Sequence, residues 1–157
     1  MAEWSNNAEQ TVAPGESVTF TQNPVPCNRG LVLHRDDTGA FLLRGYVVSG
    51  YGGCRCRQPK YANYLVDFGA NIAIPDGGTV EPISVAITID GATIPSSTMT
   101  VTPAAVQQFF NVSRAINAAI NRGCCETVTV RNTSSQPILV NNANIIFSRP
   151  DLAATRG

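Results

Sequence analysis

Chemistry in this 157-residue chain would fall to five cysteines, one histidine and a few aspartates in turn contexts. The cysteines are Cys27, Cys54, Cys56, Cys124 and Cys125. An odd count leaves at least one without a partner inside a single subunit. Cys124 and Cys125 are poor partners for each other, because adjacent Cα atoms lie about 3.8 Å apart and disulfides prefer about 4.4–6.8 Å. Extending the alternation of Val128 and Val130 places Cys124 inward and Cys125 outward. It also turns Glu126 inward, so either the register slips there or this is the open mouth of the fold. Cys54 and Cys56 share a face if extended, and Arg55, Arg57 and Lys60 close by favour the thiolate that disulfide exchange needs. The expectation is one or two disulfides within the subunit and at least one between subunits. Two alternatives stand beside it: a structural zinc held by the Cys54/Cys56 and Cys124/Cys125 pairs, though neither has CxxC spacing, and reduced, buried thiols.

His34 is the sole histidine and sits among apolar residues, where it reads as structural. One histidine supports neither a metal cluster nor a paired-histidine site. A serine triad lacks both its GxSxG elbow and its partners. Asp36, Asp37, Asp76 and Asp90 all lie in turns, where backbone hydrogen bonding accounts for them. The glycine-rich stretch 50–53 is not followed by Lys-Ser/Thr, so it is no phosphate loop. Asn111-Val112-Ser113 and Asn132-Thr133-Ser134 match the glycosylation sequon, a pattern common by chance. No catalytic residue, metal or cofactor is expected, and the chain reads as a non-enzyme.

The elements that would position these residues are strands. From residue 61 to 74 the even positions Ala62, Tyr64, Val66, Phe68, Ala70, Ile72 and Ile74 are all apolar, while Asn63, Asp67, Gly69 and Asn71 fall between them. That is period two, the mark of a strand with one buried face. Pro75-Asp76-Gly77-Gly78 breaks it. A second alternation places Ile83, Val85, Ile87 and Ile89 inward, with Ser84, Ala86 and Thr88 between them, and closes on the hairpin signal Asp90-Gly91. Two long one-faced strands require sheet packed on sheet.

Elsewhere the pattern is weaker. Residues 1–10 read as a flexible extension or connector in which Trp4 either is disordered or docks into a neighbouring copy. Short strands follow at 11–12 and 18–20, then an extended loop at Asn23-Pro24-Val25-Pro26. Residues 31–34 and 41–43 flank Asp36-Asp37-Thr38-Gly39 as a hairpin. Met99 and Val101 alternate inward. Thr102-Pro103 predicts one or two helical turns before the next strand. Val128 and Val130 mark another strand, and Ile138–Ser148 the last, with a parity slip at Asn141-Asn142 that predicts a β-bulge. Residues 150–157 read as a frayed tail. The expectation is one all-β domain over 11–149, a jelly-roll or Ig-like sandwich of about eight to ten antiparallel strands.

Only 14% of the residues are charged, against about 25% in an ordinary soluble domain, and net charge is zero. Bulk electrostatics therefore suggests neither nucleic acid nor a membrane surface, and no apolar run is long enough to insert. Outward strand positions are Thr, Ser, Asn and Ala, and Lys60 is the only lysine. Monomers usually guard sheets with charge, so these faces read as surfaces covered by other copies. Residues 1–10 have no signal-peptide pattern, which implies either a leader already removed or export by another route.

Residues 61–149 resemble a known family. YLVDFGANIAIPDGG, SVAITIDGATI, TPAAVQQFFNVS and TVTVRNTSSQPILVNNANIIFSR are similar to the jelly-roll domains of bacterial collagen-like surface proteins, the BclA-like heads grouped with tumour-necrosis-factor-like and complement-type trimers. The resemblance implies a compact homotrimer on a spore or cell surface. The chain departs from it in having no Gly-X-Y stalk and in its many cysteines, features that look more like endospore appendage subunits. The implied function is a structural, extracellular protein that self-assembles into a trimer or fibre. Alternatives are a trimeric head binding a receptor or glycan, and a virion surface protein.

Overall fold

A computed structural model describes residues 1–27, 30–35, 38–46, 59–123 and 125–153. The chain is a sandwich of two antiparallel sheets, formed by β1 (Ala2–Asn6), β2 (Gln10–Val12), β3 (Gln22–Val25), β4 (Val32–His34), β5 (Phe41–Arg44), β6 (Tyr61–Ala73), β7 (Ile83–Ile89), β8 (Ala92–Thr93), β9 (Met99–Val101), β10 (Phe110–Asn121), β11 (Cys125–Asn132) and β12 (Ile138–Ser148). One sheet runs β10–β6–β12–β1–β3, with β2 also on β12; the other runs β4–β5–β11–β7–β8, with β9 also on β7. The expected jelly-roll class holds.

β6 is the spine of the first sheet. Ala62, Tyr64, Val66, Phe68, Ala70 and Ile72 are all buried, facing the second sheet. At Asp90-Gly91 both residues have positive φ, 50° and 81°, as a tight hairpin between β7 and β8 requires. The bulge in β12 lies where the parity slip falls: the register with β6 shifts between Asn141 and Asn144, and Asn142 has φ 49°. The extra residue keeps Ile138 and Val140 on one side of it, and Ala143, Ile145 and Phe147 on the other, facing the same core.

Six expectations change. Asn23, Pro24 and Val25, expected in an extended loop, lie in β3, and residues 18–20, expected as a short strand, make only an isolated bridge from Phe20 to Thr38. Residues 2–6 are not a flexible extension: β1 pairs with β12 from Ala2↔Phe147 to Asn6↔Ala143 and joins β3 on its other side. Residues 102–109 form bends and turns instead of helix, closed by the Gln107 amide donating to Ile74 O at 2.7 Å. Pro103 is buried there, and the segment serves as a connection onto the end of β6. Pro150–Ala153 forms a single helical turn, α1, where a frayed tail is expected; residues 154–157 lie outside the described set. Finally, Ala86 and Thr88 are buried although their parity is outward. Arg131, opposite Ala86, reaches Gly91 O at 3.2 Å and so lies along that face, and Thr88 and Thr129 join their hydroxyls across the strands.

One side-chain hub and one close backbone approach fasten the loops. Asn132 is buried; its amide donates to Val12 O and Gln136 O, both at 2.9 Å, and its oxygen accepts the Ser134 amide at 2.8 Å. Gly39 has no room for a side chain, since a Cβ would stand 2.4 Å from Val18 O.

Candidate functional site

Trp4, a candidate contact to another copy, belongs to the chain's own core. It is 4% exposed and meets Phe41, His34 and Phe147 edge-on at centroid distances of 5.1, 5.8 and 5.9 Å. Alternation explains it: Ala2, Trp4 and Asn6 are the inward positions of β1. His34 stacks on Phe41 at 4.2 Å, with Nδ1 2.8 Å from Ala40 O and Nε2 3.1 Å from Phe20 O. Its ring is committed to packing and to backbone oxygens, as its apolar setting implies.

The described cysteines lie at one end of the sandwich, where β6 begins and β10 and β12 finish. Cys27 follows β3 and packs half-buried against the core edge. Cys125 opens β11 opposite Arg44 of β5, also half-buried. The register from Cys125 to Asn132 is continuous, so Glu126 stands at the open mouth of the sandwich, where its carboxylate accepts the Asn121 amide at 3.3 Å. Cys54, Cys56 and Cys124 lie outside the described residues. The Arg122 amide donates to Lys60 O at 3.0 Å and the Gly123 amide to Tyr46 O at 2.8 Å. Both described flanks of the segment that carries Cys54 and Cys56 are thus tied to the turn that precedes Cys124.

Sequence reasoning missed the polar clasp at this same end. Arg149 and Asp151 form a two-pronged ion pair, Nε to Oδ1 and Nη2 to Oδ2, both 2.8 Å. Asp151 also accepts the Tyr46 hydroxyl at 3.1 Å and the Asn63 amide at 3.2 Å. The guanidinium covers the rings of Tyr64 and Tyr46 at 4.8 and 5.2 Å, and the Tyr64 hydroxyl sits 2.6 Å from Arg44 O. The Arg149 hydrogen bonds hold the Asp151 carboxyl below its usual range, with the Asn63 amide adding to them. Burial pushes both tyrosine hydroxyls up. Burial alone would lower Arg149, but its bonds to Asp151 and Tyr64 outweigh it and raise the group. Arg149 and Asp151 match each other's charge and Asp151 holds the Asn63 amide, so the chemistry here is fastening α1 to β6. The only sequence signal was Arg-Pro-Asp at 149–151, three residues in what reads as a tail.

The outer face of β10–β6–β12 carries few such commitments, chiefly the Asn111 amide donating to Asn71 Oδ1 at 3.1 Å. Tyr61, Asn63, Leu65, Asp67, Gly69 and Asn71 come from β6, and Asn111, Ser113, Ala115, Asn117 and Ala119 from β10. Tyr61 is 41% exposed and Leu65 36% exposed, and half-buried Ile146 of β12 lies opposite Asp67. Asp67 is the single charge on these outward positions, so a partner surface would bury almost no charge there.

No family model matches the chain, and no curated protein matches it. Among solved structures it is similar to an Eiger TNF from S. frugiperda, with 12% identity and a TM-score of 0.59 over 94% of this chain and 90% of that one. It is also similar to the globular domain of a zebrafish complement 1qA protein, with 11% identity and a TM-score of 0.53 over 92% of this chain and 94% of that one. At such identities the likeness is one of fold, and this chain has the jelly-roll sandwich of the C1q and TNF domains.

Proposed function

We propose that this chain is a non-enzymatic structural subunit that assembles with copies of itself outside the cell, as a trimer or a fibre on a spore or cell surface. The observation that carries this reading is the outer face of β10–β6–β12, with exposed Tyr61 and Leu65 and one charge. An isolated sandwich exposing three long strands this way lacks the charged guards that keep sheets apart. The resemblance to TNF-like and complement-type trimers favours three copies. Cysteine cross-links would then lock the assembly, drawn from Cys27, Cys54, Cys56, Cys124 and Cys125, since an oxidising exterior permits them.

Sedimentation velocity on wild type and Leu65→Arg tests the reading. Wild type is expected as a multiple of 16.7 kDa, and the variant, with a charge placed at the middle of the face, as the 16.7 kDa species. A wild type that sediments only at 16.7 kDa at micromolar concentration overturns self-assembly and shifts the reading toward a receptor- or glycan-binding head.

A further inference from the structure

We infer that copies stack end to end along the strand direction, the basic end of one against the acidic end of the next. This deepens the self-assembly reading and rests on it for the partner, a second copy of this chain. β6 separates the two ends. Lys60 precedes it, Asp76 follows it, and its 13 residues at about 3.3 Å each span about 43 Å. Where β6 begins, the Arg122 amide donates to Lys60 O and the Gly123 amide to Tyr46 O, which gathers Arg44, Lys60 and Arg122 at this end. All three are exposed. The acids near them are engaged: Asp151 by Arg149, Glu126 by the Asn121 amide, and Asp90 by the Thr127 amide at 2.8 Å.

At the other end the chain turns at 7–9, 13–16, 74–82, 102–109 and 133–137. These connections hold Glu9, Glu16, Asp76 and Glu81 and no lysine or arginine. Glu9, Glu16 and Asp76 are exposed, and Glu81 is half-buried. One frame carries this cap. Glu81 accepts the Ser135 hydroxyl at 2.8 Å and the Gln136 amide at 3.2 Å, the Gln136 oxygen accepts the Thr79 amide at 2.9 Å, and Glu16 O accepts the Asn132 amide at 2.9 Å. Among the described residues none of these acids, nor Arg44, Lys60 or Arg122, is in an ion pair. Each end of one copy is therefore the electrostatic complement of the opposite end of another, and zero net charge lets copies approach without bulk repulsion. The two surfaces face opposite ways, so the contact is heterologous and does not close on itself, and repeating it lengthens an open filament. Both ends are solvated, so stacks lengthen as ionic strength falls.

Sedimentation velocity across salt, with end-reversed variants, tests the stacking. The weight-average mass of wild type is expected to rise at least about twofold between about 0.15 M and about 0.01 M salt, as the screening length grows from about 8 to about 30 Å. Lys60→Glu with Arg122→Glu makes a copy acidic at both ends, and Glu16→Lys with Asp76→Lys makes one basic at both. Each alone is expected to show no rise. An equal mixture is expected to recover it, because the two kinds of copy alternate, and melts followed by circular dichroism confirm that each variant folds. As a second measurement on wild type, carbodiimide at low salt should join Lys60, the only lysine, to Glu16, Asp76 or Glu81. The length of β6 makes any Lys60–Asp76 link one between copies. An oligomeric wild type whose mass ignores salt, or reversed variants that stack alone or fail to stack when mixed, overturns the end-to-end contact and leaves the self-assembly reading standing. A wild type that stays at 16.7 kDa at both salt concentrations overturns that reading, and the stacking with it.

Discussion

Replacing Trp4 by alanine separates a core residue from an intermolecular anchor. The indole is 4% exposed and lies edge-on to three rings at 5.1 to 5.9 Å. A tryptophan of this kind removes about 200 Å² from water, worth about 5 kcal/mol at about 25 cal/mol per Å². Alanine keeps a small part of that, and the cavity left between Phe41 and Phe147 relaxes only partly. The expected loss is about 4 kcal/mol, within the range seen for buried aromatic truncations. At this length that lowers the melting temperature by about 8–16 °C. The assay is urea unfolding followed by far-ultraviolet circular dichroism, because Trp4 is the only tryptophan and its removal silences fluorescence. The measurement is repeated at two protein concentrations well apart. A core residue costs the same stability at both; an anchor weakens association and leaves the unfolding of the monomer unchanged. A loss below about 1 kcal/mol accompanied by weaker assembly would refute the placement of the indole in the core.

Asp151→Asn should destabilise the fold by about 3 kcal/mol in the same assay, because it leaves the well-covered Arg149 guanidinium without its partner. The pH dependence has a fixed sign. The folded Asp151 carboxyl is held below its unfolded value, so its contribution is complete above about pH 4 and is lost as pH falls through the folded value; wild type should therefore lose stability in acid more steeply than Asp151→Asn. Asn132→Ala strips Val12 O and Gln136 O of a buried donor, and a cost of about 3 kcal/mol is expected, with an unchanged unfolding midpoint counting against that hub. Freshly assembled, alkylated protein should run as multimers on non-reducing denaturing gels and collapse to monomer with thiol, and a monomer band in both lanes would leave non-covalent packing as the only bond between copies.

Legibility in the sequence followed the strength of local pattern. β6 and β7 announced themselves because one face of each is apolar over many residues, and Asp90-Gly91 because few residue pairs accept positive φ. The β12 bulge could be read as a change of parity, since only an extra residue keeps Val140 and Ala143 on the same side. The 102–109 segment misled because Thr-Pro is a helix-start signal wherever it stands, and here a backbone bond to Ile74 O outcompetes the helix. The low charge of the outer face was visible as composition, and its extent and Leu65 at its centre were not.

By itself the sequence determined the class of fold, the inward residues of the long strands and the scarcity of charge, because each is a property of neighbours two residues apart or of composition. Tertiary structure decided the roles of the ends. Residues 2–6 are too few and too polar to form a strand alone, and they do so because β12 offers one side for pairing and Phe41 and His34 a place for Trp4. Arg149 and Asp151 become a clasp only where Tyr46, Asn63 and Tyr64, far away in sequence, converge at one end of the sandwich. Contacts between distant residues repay the entropy of ordering such segments only once the sheets have formed, so no local signal could have announced them.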